Sequence, residues 1–379
     1  MGFSFCFRPL FWVYLFFQFQ ILVFLINRFG IRPHRQVKEF LWVAFFLTVQ
    51  GASTLWLTEA WDFRLASVPA ISWAAVGFLI LVTLWVLALW IDHAWWLLVR
   101  KKPVDFKILR RYFPNRPSHW PAPYSFLKGT FFENQLYDLE VIEQEVRLSG
   151  WPKAWDGLSL VQISDIHVGK FIHPAYLKFV VEQARKLKPD FFALTGDFIS
   201  FAKDVPLIRN IFKSLKAPLG VYAVLGNHDH WADAPALAKV LKKDGVRVLI
   251  NESVSFKRKG KTLSLIGVDD KWTGNPDTSR VWNVQGDAKI LLAHQPDHFY
   301  LAKKIKAQLQ ISGHCHGGQI CFPLIGPLIV PSDEGRKYAG GFIREGNQTL
   351  FIHRGIGGYP PLRTLCPPQV VKLILKSCD

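Results

Sequence analysis

Two patterns of apolar and polar positions divide this chain. Near the N-terminus the apolar runs are long: Leu10–Ile26, Phe40–Leu57 and Val68–Ile91. Each is close to the roughly 20 residues that a helix needs to cross a hydrocarbon layer, and the third holds no charged residue. From about Tyr137 onward the apolar runs shorten and alternate with amphipathic stretches and Gly/Asn/Asp turns. Leu139–Leu148 alternates with period two and predicts an edge strand. Leu158–Ser164, Phe191–Thr195, Val221–Leu225, Arg247–Ile250, Ser253–Arg258, Thr262–Val268, Ile290–Ala293 and Leu309–Ser312 predict further strands, with Lys259-Gly260 turning a hairpin. Helical spacing marks Pro174–Lys188, Val205–Leu215 and Ala234–Lys243. Strands alternating with helices imply a largely parallel sheet with helices on its faces, and the hairpins imply a second sheet. The expected fold is a two-sheet α/β sandwich preceded by transmembrane helices.

Charge sharpens the organisation. The loop after the first apolar run carries Arg28, Arg32, Arg35 and Lys38; the loop after the second carries Glu59, Asp62 and Arg64. The third run is followed by Arg100, Lys101, Lys102, Lys107, Arg110, Arg111 and Arg116. Basic, acidic, basic is the alternation expected of three spans with the N-terminus outside and the large domain in the cytoplasm. No small-residue cleavage site follows the first run, which argues against a removed signal peptide. The expected divisions are therefore a multi-pass membrane region over 1–100, a basic aromatic collar over 101–136 and a catalytic domain over 137–379. The net charge of +17 suits an anionic membrane surface and an anionic substrate. It is concentrated beside the spans, so nucleic acid is not an expected partner. Five scattered cysteines lack zinc-ligand spacing and fit a reducing compartment better than a disulfide framework.

The chemistry lies where the short apolar runs end. Asp165 and His167 follow LSLVQIS, Asp197 follows FFALTG, and Asn227, His228 and Asp229 follow VYAVLG. His294 follows KILLA, and His314 and His316 follow LQISG. Layered α/β folds hold ligands beyond the carboxyl ends of their strands. If the backbone stays extended, Asp165 and His167 point to one side. Any one of these residues is an ordinary loop residue; five strand ends in order, all with metal-ligand chemistry, are not. Carboxylate, amide and imidazole ligands without thiolates suit Mn²⁺, Fe or Zn²⁺ rather than a closed structural zinc site. Two such ions can lower the pKa of a shared water and neutralise phosphoryl oxygens.

Taken together, SDIHVGK, LTGDFIS, LGNHDHW, HQPDHF, SGHCHGGQI and RGIGGYPPLR resemble the calcineurin-like metallophosphoesterase superfamily, in particular its bacterial membrane-associated branch. The resemblance covers about residues 137–378. It implies Asp165, His167 and His316 for one divalent ion and Asn227, His294 and His314 for the other, with Asp197 bridging. It gives His228 a catalytic role at the scissile phosphate and Asp229 the role of orienting His228. Cys315 stands where the branch usually has Thr and is expected to point away from the metals. His173, His230, His298 and His353 fall outside the motif spacing, and Arg354 and Arg363 receive no role. The implied activity is hydrolysis of a phosphodiester or pyrophosphate bond, with Mn²⁺ the expected metal. One related group cleaves UDP-2,3-diacylglucosamine, which points to a lipid or lipid precursor at a bacterial inner membrane. The alternatives are a broad phosphoesterase acting on other phospholipid or wall-associated phosphates, and a non-catalytic metal-stabilised module of a membrane sensor.

Overall fold

The computed structural model describes Ile91 and residues 104–114, 133–322, 326–327 and 329–378. The three apolar runs, apart from Ile91, lie outside the described residues, and with them the expected membrane spans. No helix among the described residues is long and apolar enough to cross a membrane. Residues 102–379 form a unit of their own.

Along that unit, β1 (Phe106–Tyr112), β2 (Glu140–Leu148) and β3 (Ser159–Ile163) lead to α1 (Pro174–Lys186), β4 (Phe191–Thr195) and β5 (Val221–Val224). Then come α2 (Asn227–Ala232), α3 (Ala234–Lys243) and β6 (Arg247–Val248). The second half gives β7 (Glu252–Arg258), β8 (Lys261–Gly267), β9 (Ala288–Leu292) and β10 (Leu309–Ser312). It continues with the short pair β11 (Cys321–Phe322) and β12 (Gly326–Pro327), then β13 (Gly341–Glu345) and β14 (Gln348–Ile352). The last strand, β15 (Gln369–Ser377), returns to the first sheet. Among the described residues, one sheet runs β1-β2-β15-β3-β4-β5-β6 and the other β13-β14-β10-β9-β8-β7. β3 to β6 are parallel to one another, as are β8, β9, β10 and β14.

The two sheets face each other, as the short apolar runs imply. Strand β4 shows how period two works when both faces are covered. Phe191 and Ala193 join Leu160, Leu265, Ile290 and Ile311 in the layer between the sheets. Phe192 and Leu194 point the other way and pack with Leu177, Val180, Leu237 and Leu241 of α1 and α3. Leu291 of β9 does the same on the far face of the second sheet, against Phe299 and Leu301.

Three expectations change. Leu139–Leu148 is not an edge: β1 pairs with it antiparallel on one side and β15 parallel on the other. Residues 106–112, expected to belong to a membrane collar, are thus a strand of the folded unit. Val205–Leu215 is not one α-helix but two 3₁₀ segments, Ala202–Ile208 and Phe212–Ser214. Pro206 lacks an N–H, and Asn210 takes a left-handed φ of 60°. The N–H groups of Asn210 and Phe212 donate instead to the Asp244 carboxylate, both at 3.0 Å.

Candidate metal centre

The carboxyl ends of β3, β4, β5, β9 and β10 meet at one place, where Gln162 Nε2 of the first sheet donates to Ser312 O of the second at 2.9 Å. The loops leaving those ends do not remain extended. Asp165, His167, Asp197, His314 and His316 all take positive φ, between 50° and 69°. That region is sparsely populated for residues other than glycine, and such strain gathers where surrounding structure holds it for function. Asp165 and His167 therefore reach one point through a turned loop rather than along an extended strand. Its backbone is fixed by bonds from Ile166 N and His167 N to Asp197 O, at 2.7 and 3.0 Å.

Two groups of ligating atoms result. Asp165, His167, Asp197 and His316 form one, and Asp197, His294 and His314 the other, each with its ligand atoms within 4.8 Å of one another. In the first, His167 Nε2 lies 3.2 Å from His316 Nε2 and 3.6 Å from Asp197 Oδ2. In the second, His294 Nε2 lies 3.2 Å from His314 Nδ1 and 3.3 Å from Asp197 Oδ2. Asp197 Oδ1 is occupied by the His228 N–H at 2.9 Å, which leaves Oδ2 as the atom facing both groups. Asn227, which opens α2, is buried, and its Oδ1 has no hydrogen-bond partner.

These residues fit divalent ions. Ligand atoms bound at about 2.1 Å in tetrahedral or octahedral geometry lie about 3.0–3.4 Å apart, which is the spacing of the facing imidazoles here. The buried Asn227 Oδ1 and Asp165 Oδ2 lack partners, a cost that an ion removes. The outward nitrogens are held as metal-binding imidazoles require. His294 Nδ1 donates to Thr195 O at 2.7 Å, and His167 Nδ1 meets Ser200 Oγ at 2.9 Å.

Electrostatics follow from the crowding. Burial raises the Asp165 carboxyl to about 6. Burial and the charge of His228 lower His167 to about 3. Burial opposes charge on His294 as well, but Asp197 overrides it and raises that imidazole to about 10. Asp197, despite a burial that favours its neutral form, is held well below the usual carboxylate range by His294 and His228.

Around the two groups stand the residues expected to act on substrate. The His228 ring meets the His167 ring edge-on at 4.7 Å between centroids. Asp229 accepts four backbone N–H bonds, from Gly226, Asp197, Phe198 and Ile199, at 2.8–3.2 Å. These bonds tie the Asp197 loop to the turn that carries Asn227 and His228. Cys315 lies in a helical rather than extended conformation, yet is buried among the apolar residues of the far face, where burial pushes its thiol well up.

Arg363, given no role from sequence, is fully buried beneath the site. Its guanidinium donates to Gly357 O at 2.7 Å, Arg354 O at 2.6 Å, Cys366 O at 3.2 Å and His316 O at 3.3 Å. Arg354 instead pairs with Glu140 and Gln369. Of the histidines outside the motifs, His173 caps α1 and His230 pairs with Asp269 at 2.8 Å, while His298 and His353 are buried.

Comparison with known proteins bears on this geometry. Residues 158–318 match the calcineurin-like phosphoesterase family. An uncharacterized metallophosphoesterase of Bacillus subtilis, YkuE, is 33% identical over 254 residues, covering 64% of this chain and 87% of that protein. The chain belongs to the calcineurin-like phosphoesterase family. It is a metal-dependent phosphoester hydrolase, and the two groups around Asp197 are a centre for divalent ions. The family member YaeI, a phosphodiesterase of Escherichia coli, is 28% identical over 56% of this chain and 80% of its own length. UDP-2,3-diacylglucosamine pyrophosphatase LpxG of Chlamydia trachomatis is 26% identical over 56% of this chain and 82% of that protein. Asp229 and Arg363 are buried charges that hold loops carrying the candidate ligands.

Proposed function

We propose that this chain is a membrane-anchored hydrolase of a phosphodiester or pyrophosphate bond in a lipid or lipid precursor, with UDP-2,3-diacylglucosamine as the leading substrate. The observation that carries the hydrolytic part is the pair of ligand groups sharing Asp197 Oδ2, with the His228 ring against one of them. In this reading Asp165, His167 and His316 hold one ion, and Asn227, His294 and His314 the other. When bound, the ions supply Lewis acidity, lowering the pKa of water and neutralising phosphoryl oxygens. His228 hydrogen-bonds the phosphoryl group and delivers a proton to the leaving oxygen. Asp229 keeps His228 in place through the backbone of the turn. The carboxylate, amide and imidazole donor set suits Mn²⁺, Fe or Zn²⁺, and Mn²⁺ is the metal proposed.

The lipid part is supported by the similarity to the Chlamydia pyrophosphatase and by the apolar N-terminal runs with their basic flanks. A Danio rerio relative bears the name transmembrane protein with metallophosphoesterase domain, in keeping with a membrane location. The catalytic domain is assigned to the cytoplasmic side of a bacterial inner membrane, which a reporter fused after Asp379 tests by the side on which it is active.

Hydrolysis of bis-p-nitrophenyl phosphate with Mn²⁺ tests the chemistry. The unmodified chain is expected to be active and Asn227→Ala and His228→Ala to lose at least about 100-fold, the scale of general acid–base catalysis. Inactivity of the unmodified chain with every divalent metal tried would overturn the reading. Mass spectrometry after incubation with UDP-2,3-diacylglucosamine tests the substrate; absence of UMP removes it.

A further inference from the structure

Four aromatic side chains near the candidate centre are more exposed than their size warrants. Phe171 is 40% exposed, Phe201 39%, Trp231 41% and Tyr359 46%. Three of them form a continuous edge with the catalytic-site histidine. Trp231 lies one turn beyond His228 on α2, with ring centroids 4.8 Å apart. The Tyr359 ring lies 6.4 Å from the His228 ring, and Phe201 meets Tyr359 at 6.0 Å. Their backbones are anchored by the ligand loops themselves. Phe201 follows Ser200, which meets His167, and Tyr359 follows the Gly357 N–H that donates to Asp165 O at 2.8 Å. Lys203 Nζ is 5.5 Å from the Phe201 ring, and Lys170, on the segment that Val168 bridges in parallel to Ile199, has its Nζ 5.6 Å from the Phe171 ring.

Contiguous exposed apolar surface is uncommon on soluble domains and marks a place where something apolar docks. The neighbouring lysines select what that is. A wholly neutral hydrocarbon would gain nothing from them, and a free phosphate would gain nothing from the rings. We infer that Phe201, Trp231 and Tyr359 form the subsite for the acyl chain of an anionic lipid phosphodiester, whose phosphate reaches His228 while Lys170 and Lys203 attract its charge. The inference rests on the hydrolase reading and adds the residues that select an amphiphilic substrate. Aromatic rings suit this role because they offer apolar area at little entropic cost.

The test compares kcat/KM of the full chain, loaded with Mn²⁺, for methyl and hexyl p-nitrophenyl phosphodiesters. Each methylene withdrawn from water contributes about fourfold, so partial contact of the hexyl chain with the rim gives a preference of about tenfold or more. In Phe201→Ser and Tyr359→Ser the hexyl-to-methyl ratio is expected to fall towards one, and in Phe201→Leu to remain. A ratio is insensitive to the fraction of folded, metal-loaded protein. Partitioning of the ester into detergent is common to all variants and drops out of the comparison. A ratio near one in the unmodified chain, or one retained in both Ser variants, overturns the subsite. Hydrolysis of neither ester by the unmodified chain instead overturns the hydrolase reading on which it rests.

Discussion

Gly226 offers a clean perturbation of the centre, because its backbone does not require glycine and its surroundings do. Its φ of −106° and ψ of 176° are open to any residue, so Gly226→Ala adds no backbone strain. The added Cβ, however, would lie 2.2 Å from Asp197 Oδ1, 2.7 Å from Asp197 N and 2.8 Å from His294 Cε1. The first is roughly an ångström short of ordinary van der Waals contact. None of the three neighbours is the free end of a flexible chain. Asp197 is pinned by its backbone bond to Asp229 and its side-chain bond from His228 N, at 2.8 and 2.9 Å. His294 is pinned by Thr195 O at 2.7 Å. Relief must displace the shared carboxylate or the α2 turn. The stability cost is expected to be that of overpacking, about 1–3 kcal/mol. A misplacement of that size at a reacting centre costs about 100-fold in rate. The assay is kcat/KM for bis-p-nitrophenyl phosphate together with Mn²⁺ content after dialysis. Gly157→Ala is the control: its φ is +84° but nothing lies within 4 Å of the added carbon, so it should lose about 1–2 kcal/mol of stability and keep full activity and metal. A Gly226→Ala protein with near-normal rate and metal content would refute the claim that space at Gly226 sets the position of Asp197.

Other outcomes follow from buried charges. Arg363→Met removes the donors to His316 O and Arg354 O and is expected to weaken Mn²⁺ binding about 10- to 100-fold, read by competition with a chelator; unchanged affinity would reduce Arg363 to a packing residue. Asp297 lies buried, accepting from Ser332 Oγ and Asp333 N with Oδ2 unpartnered, and burial raises it from 3.8 to about 6. The folded state therefore binds this proton more tightly than the unfolded one. Stability from this group is full below about pH 4 and is lost as the pH rises through about 6. The loss is of the order of 3 kcal/mol. Asp297→Asn should accordingly be more stable than the unmodified protein in urea at pH 8, with the advantage gone at pH 4; an equal advantage at both pH values would contradict the assignment.

How much of this was legible in the sequence depends on whether a residue acts through its side chain or on the backbone. The strands that end at Ile163, Thr195, Val224, Leu292 and Ser312 were readable from short apolar runs, since both faces of each are covered and nothing interrupts the pattern. The chemistry after them was readable because Asp, Asn and His carry it in their own side chains. The edge assignment of Leu139–Leu148 failed because the partner, β1, comes from a stretch whose Arg and Lys residues resemble a membrane flank. Six of its seven residues are more than a third exposed on the edge, so no apolar alternation announces it. The helix expected over Val205–Leu215 failed because Asp244, more than 30 residues away, supplies the acceptors for Asn210 and Phe212. A local pattern has no means of recording a capping group brought by the fold.

Asp229 and Arg363 show the same limit at the site itself. Asp229 is embedded in a recognisable motif, yet both its oxygens serve backbone N–H groups from two loops. Arg363 sits some 47 residues from His316 along the chain and donates chiefly to carbonyls. Asp229 touches no side chain whose chemistry would point back to it, and Arg363 meets one, the His316 ring at Nδ1, only at 3.4 Å beside its four carbonyl bonds. Burying an ion is costly unless hydrogen bonds replace its hydration; each is here surrounded by such bonds. Those bonds reach Asp197 N and His316 O, two of the five candidate ligands at positive φ, a conformation that the loops would not keep unaided. The centre is therefore built from two layers with opposite requirements: imidazoles and carboxylates whose nitrogens and oxygens face one another, and beneath them two charges with little lone-pair or N–H capacity to spare. Removing a ligand should cost an ion and leave the loops standing, whereas removing Asp229 should loosen the loops of Asp197 and His228 together. That difference separates the two layers experimentally: Asp229→Asn should raise amide hydrogen exchange at 196–199, where Asn227→Ala should leave it unchanged.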